Sequence, residues 1–362
     1  MNVRVNPKPQ LVRAFECLVW CAVAWFTPGA GCAYQRADFG FDRQLLQADA
    51  LTDDGDYAAA RALYLSIAPD SERLDLLSYI RYRLAYLTEL EGDAAAALAQ
   101  YEAIWTHPLG VYDERAAQAM YRSGRVRREL LGDESGALAM WSDLVRMYPN
   151  TTFALDGLTE LMRHARSTGQ IEPMRDWLQT VAVELARSEV GDNVLYAWAT
   201  LTDDDLGDCD QALEAYETIM TTYTRGGLWD DSLWRTSLCH RRQGRIDAEY
   251  ALLLGFIDAR EVSFVAADYD SEYYGDALDR MATIHEERQQ WQQAIEMWER
   301  YLSIFPLTLR ADDVTWHIME LSEETGDRER RCAGLERMRG EFFESRWLDD
   351  AEALVQRTGG CP

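Results

Sequence analysis

The sequence predicts an all-α fold, a right-handed α-solenoid of about eight helical hairpins closed by a C-terminal capping helix. Three observations predict it. First, a Gly-Asp turn with an alanine five residues on and an aromatic nine residues on recurs at Gly55 (Ala60, Tyr64), Gly92 (Ala97, Tyr101), Gly132 (Ala137, Trp141) and Gly207 (Ala212, Tyr216). Gln289 replaces the glycine once and keeps Ala294 and Trp298, while weaker copies start at Gly169, Gly244 and Gly326. The steps between these eight anchors are 37, 40, 37, 38, 37, 45 and 37 residues, a period that marks stacked supersecondary units. Second, the apolar residues between anchors recur at helical spacing. Third, Pro69, Pro108, Pro149 and Pro306 fall 14, 16, 17 and 17 residues after their anchors, where a hairpin must break.

Residues 1–33 read as an export signal. Arg4, Lys8 and Arg13 make a basic start, Ala14 to Phe26 an apolar stretch, and Gly29, Ala30 and Gly31 a run of small residues before Cys32. Thirteen apolar-biased residues interrupted by Glu16 are too few to span a bilayer as a helix. Gly29-Ala30-Gly31-Cys32 resembles a bacterial lipobox, with Gly29 where leucine is usual. Either Cys32 becomes the lipid-modified N-terminus, which implies an outer-membrane tether facing the periplasm, or a conventional signal is cut after Ala33.

The formal charge is −26, and since the leader carries a net +2 the remainder carries −28. Such a balance argues against nucleic acid or anionic lipid as a partner, because phosphate binding needs a basic patch. The acidity keeps an aromatic-rich surface soluble or forms an acidic docking face.

Residues 34–340 read as the repeat array. In the unit around Gly92, Leu76, Leu77, Ile80, Leu84 and Leu87 recur at three- and four-residue spacing, and Ala94 to Ile104 gives a second amphipathic helix. Gly92 can take the left-handed conformation that closes a helix, and Asp93 can cap the next. Ala97 and Tyr101, four apart, share a face on which alanine permits close helix approach and the aromatic fills the gap toward the neighbouring hairpin. The 45-residue step puts extra residues around Glu261 to Tyr274, with Phe264, Tyr269, Tyr273 and Tyr274 among acids, as an inserted rim loop or as lengthened helices. Residues 341–362 form the cap and tail, with one amphipathic helix over Glu341 to Arg357 that turns Phe342, Phe343, Trp347, Leu348, Ala351 and Leu354 inward.

Gly-Asp in a helical turn, alanine five on, Tyr or Trp nine on and proline near the end resemble the tetratricopeptide repeat over about Asp38 to Arg339. The steps here exceed that family's usual length by a few residues. Met147-Tyr148-Pro149-Asn150-Thr151 and Ile304-Phe305-Pro306-Leu307-Thr308 resemble the longer repeats of Gram-negative envelope proteins, such as the assembly lipoprotein of the barrel machinery and the periplasmic Tol-Pal coordinator. The repeats at Gly169 and Gly244 carry Met174 and Glu249 in place of the alanine, and that at Gly326 has Arg331 and Leu335 in place of both marks.

The family lines its concave surface with first helices, so the resemblance makes Tyr79, Tyr82 and Tyr86, with Trp234 and Trp316 further on, partner-facing residues, or else packing residues between adjacent helices. Tyr269 and Tyr273 join them from the long step. The implied function is a non-enzymatic scaffold of the cell envelope that binds a protein or peptide without a cofactor. The alternative is an enzyme-associated superhelix in peptidoglycan remodelling.

Cys17 and Cys21 lie in the leader, and Cys209, Cys239, Cys332 and Cys361 remain beyond Cys32, an even number suited to an oxidising compartment. Cys209 follows the turn at Gly207 and Cys239 ends the next repeat's first helix, which runs alongside that turn; Cys332 begins a helix to which the end of the cap, at Cys361, returns. The pairs 209 with 239 and 332 with 361 follow, with buried free thiols as the alternative.

The five histidines, His107, His164, His240, His285 and His317, stand at no metal-ligand spacing, and no Cys-x-x-Cys, phosphate-binding loop or Gly-x-Ser-x-Gly motif occurs. Asp203-Asp204-Asp205-Leu206-Gly207-Asp208 and Asp268-x-Asp270-x-Glu272 fail the calcium-loop pattern and read as caps and solvated turns.

Overall fold

The computed structural model describes residues 39–67, 74–106, 113–224, 226–259 and 271–361. The leader, Cys32 and Tyr269 lie outside them. The chain divides into two compact units at Asp208 and Cys209, where the sequence alone predicts one array over 34–340. Every regular element among the described residues is helical, and none of these helices is long and apolar enough to cross a membrane.

The first unit holds α1 (Phe39–Asp53), α2 (Tyr57–Ser66), α3 (Leu74–Leu90), α4 (Ala94–Trp105), α5 (Asp113–Leu131), α6 (Glu134–Met147), α7 (Thr152–Thr168), α8 (Ile171–Glu184) and α9 (Gly191–Thr200). A π-helical turn, Leu201–Asp205, extends α9. The second holds α10 (Cys209–Thr222), α11 (Trp229–Arg242), α12 (Ile246–Asp258), α13 (Tyr273–Glu287), α14 (Trp291–Ile304), α15 (Ala311–Glu324), α16 (Arg328–Glu341) and α17 (Leu348–Arg357). All eight anchors fall between consecutive helices. Four complete hairpins lie in the first unit and three in the second, and the turn at Gly207 sits at the boundary.

The turn chemistry explains why helices stop there. Each anchor glycine has positive φ, and Gln289 adopts the same conformation at φ 57° despite its Cβ. Asp56, Asp93, Asp133 and Asp327 accept a hydrogen bond from the backbone N–H three residues on, at 2.9–3.1 Å, satisfying a donor that the helix start leaves open. Behind each turn the alanine and aromatic of the five strong repeats are buried, Trp298 being the most exposed at 5%. Trp141 fits because Gly124 faces it from α5: a Cβ at Gly124 would lie 2.3 Å from the indole nitrogen.

Two expectations need correction, and one of the two readings of the long step falls away. The cap helix begins at Leu348, not Glu341: the N–H of Phe342 closes α16 on Met338, and Ser345 caps the turn to Trp347 with its hydroxyl. Phe343 consequently points outward at 66% exposure. The acidic run before Gly207 is not simply solvated, since the π turn buries Asp203 while Asp205 pairs with Arg166 at 3.0 Å. The long step does not lengthen its helices, because α12 and α13 have 13 and 15 residues. Its extra residues fall between Asp258 and Tyr273.

Cys209 is bonded to Cys239 and Cys332 to Cys361, with Cα separations of 5.7 and 5.6 Å. The second bond ties the cap's end to α16, where Arg328 also donates to the Gly360 carbonyl at 2.7 Å. Replacing Cys332 and Cys361 by alanine should remove the closure of a loop of about 30 residues, worth about 3–4 kcal/mol in the chain-entropy account, and lower the thermal midpoint. Calorimetry of the oxidised protein and the double variant checks this. Gln289→Gly should stabilise by about 0.5–1 kcal/mol, since glycine takes the left-handed conformation without Cβ strain. Urea unfolding beside a Gly92→Ala variant, which should move the opposite way, provides the measurement.

Candidate functional site

The first helices carry a recurring charge clasp beneath the buried aromatics. In the first unit, Tyr64 on α2 and Tyr79 on α3 both donate to the Asp49 carboxylate on α1, and Arg83 on α3 pairs with the same group at 2.8 Å. One repeat on, Tyr101 donates to Glu89 at 2.7 Å, and Arg122 on α5 grips Glu89 through two nitrogens. In the second unit Trp298 donates to Glu286 at 2.9 Å, and His317 on α15 meets the same oxygen at 2.9 Å. Arg83, Arg280 and His317 each stand nine residues before their repeat's turn and Arg122 ten. In these three repeats the aromatic nine residues after the turn shares an acid with a base from the next repeat, whereas Trp141 donates to the Tyr121 carbonyl at 3.2 Å.

Two repeats vary the clasp. Glu160 occupies the base position before Gly169, and the partner is Arg128 of the preceding repeat at 2.6 Å, so the charges are exchanged. Glu249, in the alanine position after Gly244, is fully buried and held by Arg280 and Arg241 at 2.9 and 2.7 Å. Burial alone would raise its pKa, but the hydrogen bonds from the two guanidiniums outweigh that and lower it. Arg331, in the alanine position after Gly326, is likewise buried and donates to the Ser322 carbonyl at 2.5 Å.

The anticipated partner-facing residues are placed differently from one another. Tyr82 is buried against Tyr101, their rings 5.8 Å apart, which corrects its assignment to an open face. The reason is that α3 packs against both α4 and α5. Tyr79 and Tyr86 are half-buried, with Arg115 over the rings of Tyr79 and Tyr82 and Arg122 over that of Tyr86. Burial pushes the Tyr79 hydroxyl well above its ordinary pKa, with the Asp49 hydrogen bond adding to it. Trp234 stacks on Tyr273 at 5.4 Å, and Tyr273 donates to Asp231 at 2.7 Å.

Trp316 borders a cleft of about 730 Å³ in the second unit. Its walls come from the first helices α13 and α15, from Trp298 on α14, and from the turn into α17. Trp316 and Trp347 stack with centroids 5.7 Å apart and planes 12° apart. Asp313 accepts from Trp347 Nε1 at 2.6 Å and pairs with Arg346 at 2.9 Å. The Arg346 guanidinium lies 4.6 Å from the Trp347 ring centroid. Hydrogen bonds from Trp347 and Arg346 hold the Asp313 carboxyl below its ordinary pKa.

His317, with its edge to the Trp298 ring at 5.5 Å, bridges Glu286 and Glu320. Hydrogen bonding to Glu286 raises its pKa above 6.5 against the opposing effect of burial, and Glu320 adds to the rise. In the sequence His317 stands out only by its lack of metal-ligand spacing. The phase itself, a base nine residues before Gly326 and an acid three before Gln289, is the signal that finds the pair.

The class so defined is an array of helical hairpins whose first helices present a surface. The chain carries tetratricopeptide repeats: the family model for that repeat matches residues 118–151 and 276–308, the hairpins anchored at Gly132 and Gln289. No curated protein matches the sequence. Among solved structures, the C-terminal part of a TPR repeat-containing protein from Cytophaga hutchinsonii is 14% identical, with 75% of this chain and 98% of that one covered and a TM-score of 0.43. A tetratricopeptide repeat protein from Parabacteroides merdae is 12% identical, covering 76% and 98%, at a TM-score of 0.34. The TPR2AB domain of yeast Sti1, in its pHSP90 complex, is 12% identical, covering 77% and 96%, at 0.29.

Because the folded-state pKa of His317 is raised, its contribution to stability is fully present below about pH 6.5 and is lost as pH rises through the folded value. Half-exposed pairs are screened, so the loss should stay under about 1 kcal/mol. NMR titration should place the imidazole above 6.5, and Glu286→Gln should bring it down. An imidazole that titrates identically in the variant contradicts the assignment.

Proposed function

We propose that the protein is a non-enzymatic interaction scaffold that binds a protein or peptide partner along its first-helix surface. The observation that carries this is the cleft of about 730 Å³, where first-helix side chains and the cap meet around stacked tryptophans. Aromatic side chains held rigid by packing offer large contact area at little entropic cost, which is what recognition surfaces favour. The tetratricopeptide repeat supports the same reading, since such repeats build extended surfaces rather than reaction centres.

The scaffold is proposed to act in a bacterial cell envelope. The basic and apolar leader, the lipobox resemblance at Cys32 and the two disulfides support export, and the acid-rich composition suits a partner that is neither nucleic acid nor membrane surface. Intact mass of the membrane-extracted protein should show acyl chains that Cys32→Ser removes; unmodified mature protein would leave the soluble form.

Photo-crosslinking in cells from Tyr86 and Glu320, both on first helices, should trap a discrete protein partner, while a probe at exposed Val183 on the second helix α8 should not. Turnover of peptidoglycan by the purified mature protein would overturn the scaffold reading in favour of the enzyme-associated one.

A further inference from the structure

Resting on the scaffold reading, we infer that the α13, α15 and α17 cleft recognises an arginine side chain of its protein partner, and that Arg346 occupies that position until the partner displaces it. Charge decides the sign of the ligand. The walls carry five carboxylates, Asp279, Glu286, Asp313, Glu320 and Asp350, against two guanidiniums, Arg310 and Arg346, and one imidazole. Both guanidiniums are engaged already, Arg310 with Asp279 at 3.2 Å and Arg346 with Asp313 at 2.9 Å. An incoming anion would therefore meet no cation that is not already paired and would face an excess of negative charge. An incoming cation meets Glu320, in contact with His317 at 3.4 Å, and Asp350, exposed at the start of α17, two carboxylates that share the charge of the single guanidinium of Arg357, which itself pairs with Glu323 at 2.9 Å.

Geometry decides the chemical class. Arg346 displays the recognition mode: a planar guanidinium over an indole face, 4.6 Å from its centroid, with a carboxylate at 2.9 Å. Asp313 is itself oriented by the Trp347 N–H, and Trp347 by its stack on Trp316, so aromatic face and carboxylate are held together before any ligand arrives. Guanidinium suits this pairing better than ammonium because its flat surface stacks while its edge donates.

The resident arginine is loosely held. Its side chain is 72% exposed, and its two contacts are an exposed ion pair and an exposed cation–π contact, each a weak interaction. A partner's arginine can take its place with small loss. Displacement also lets Arg346 swing outward, where it can pair with acidic residues of the partner.

The test uses the full mature protein, with tryptophan fluorescence and calorimetry as readouts and two probes, an acetylated tri-arginine peptide and its tri-glutamate counterpart. The arginine peptide should bind and perturb the tryptophan emission; the glutamate peptide should not. Arg346→Ala should tighten the arginine peptide about fivefold, the equivalent of losing one weak competing contact. Asp313→Asn, which retains the hydrogen bond from Trp347, should weaken it about tenfold with unchanged circular dichroism. Weaker or unchanged binding in Arg346→Ala overturns the inference, as does binding of the glutamate peptide. A protein partner that is cross-linked in cells equally well with and without Asp313→Asn also overturns it and leaves the scaffold reading intact.

Discussion

The structure depends on a shared carboxylate. A repeat protein has no global core to enforce its register, so each hairpin must be fixed to the next by local contacts. Here the aromatic nine residues after the turn is buried for its area yet keeps a polar tip, and that tip needs a partner. Asp49, Glu89 and Glu286 supply the acceptor, and the charge this brings inside is balanced by Arg83, Arg122 and His317 from the following repeat. At Tyr64, Tyr101 and Trp298 packing and pairing are consequently one device: satisfying the aromatic fixes the neighbour's first helix.

The exceptions obey the same logic. Exchanging the charges, as Arg128 and Glu160 do, preserves the pairing because Coulomb attraction is indifferent to which helix carries which sign. Moving the acid to the alanine position, as Glu249 does, demands two guanidiniums because a fully buried carboxylate has no water to share. Where the base is histidine instead of arginine, at His317, the clasp becomes sensitive to pH and borders the cleft.

Much of this is legible in the chain. The eight turns, the buried alanine and aromatic, and the aspartate caps follow from local conformational preference and helical period, which act over a few residues. Tyr82 shows where that ends. Its spacing puts it on the strip with Tyr79 and Tyr86, but whether a strip is open depends on how the second helix of the hairpin packs back on the first, and Tyr101 on α4 covers it. The cap helix shows the same from the other side: apolar spacing runs on through Phe343, while Ser345 bonded to Asp312, 33 residues back, holds the turn that stops it.

What the sequence determined by itself is the repeat: its phase, its all-α class, its turns and the cysteines that stand near enough in phase to be joined. These rest on interactions within one hairpin or between adjacent ones, whose distances a period fixes. Only the tertiary structure decided which aromatics are covered and which border a cleft, and that Arg346, Asp313, Trp347 and Trp316 converge there. Those residues come from a loop and a helix some thirty positions apart, and no period of the backbone sets where their side chains meet.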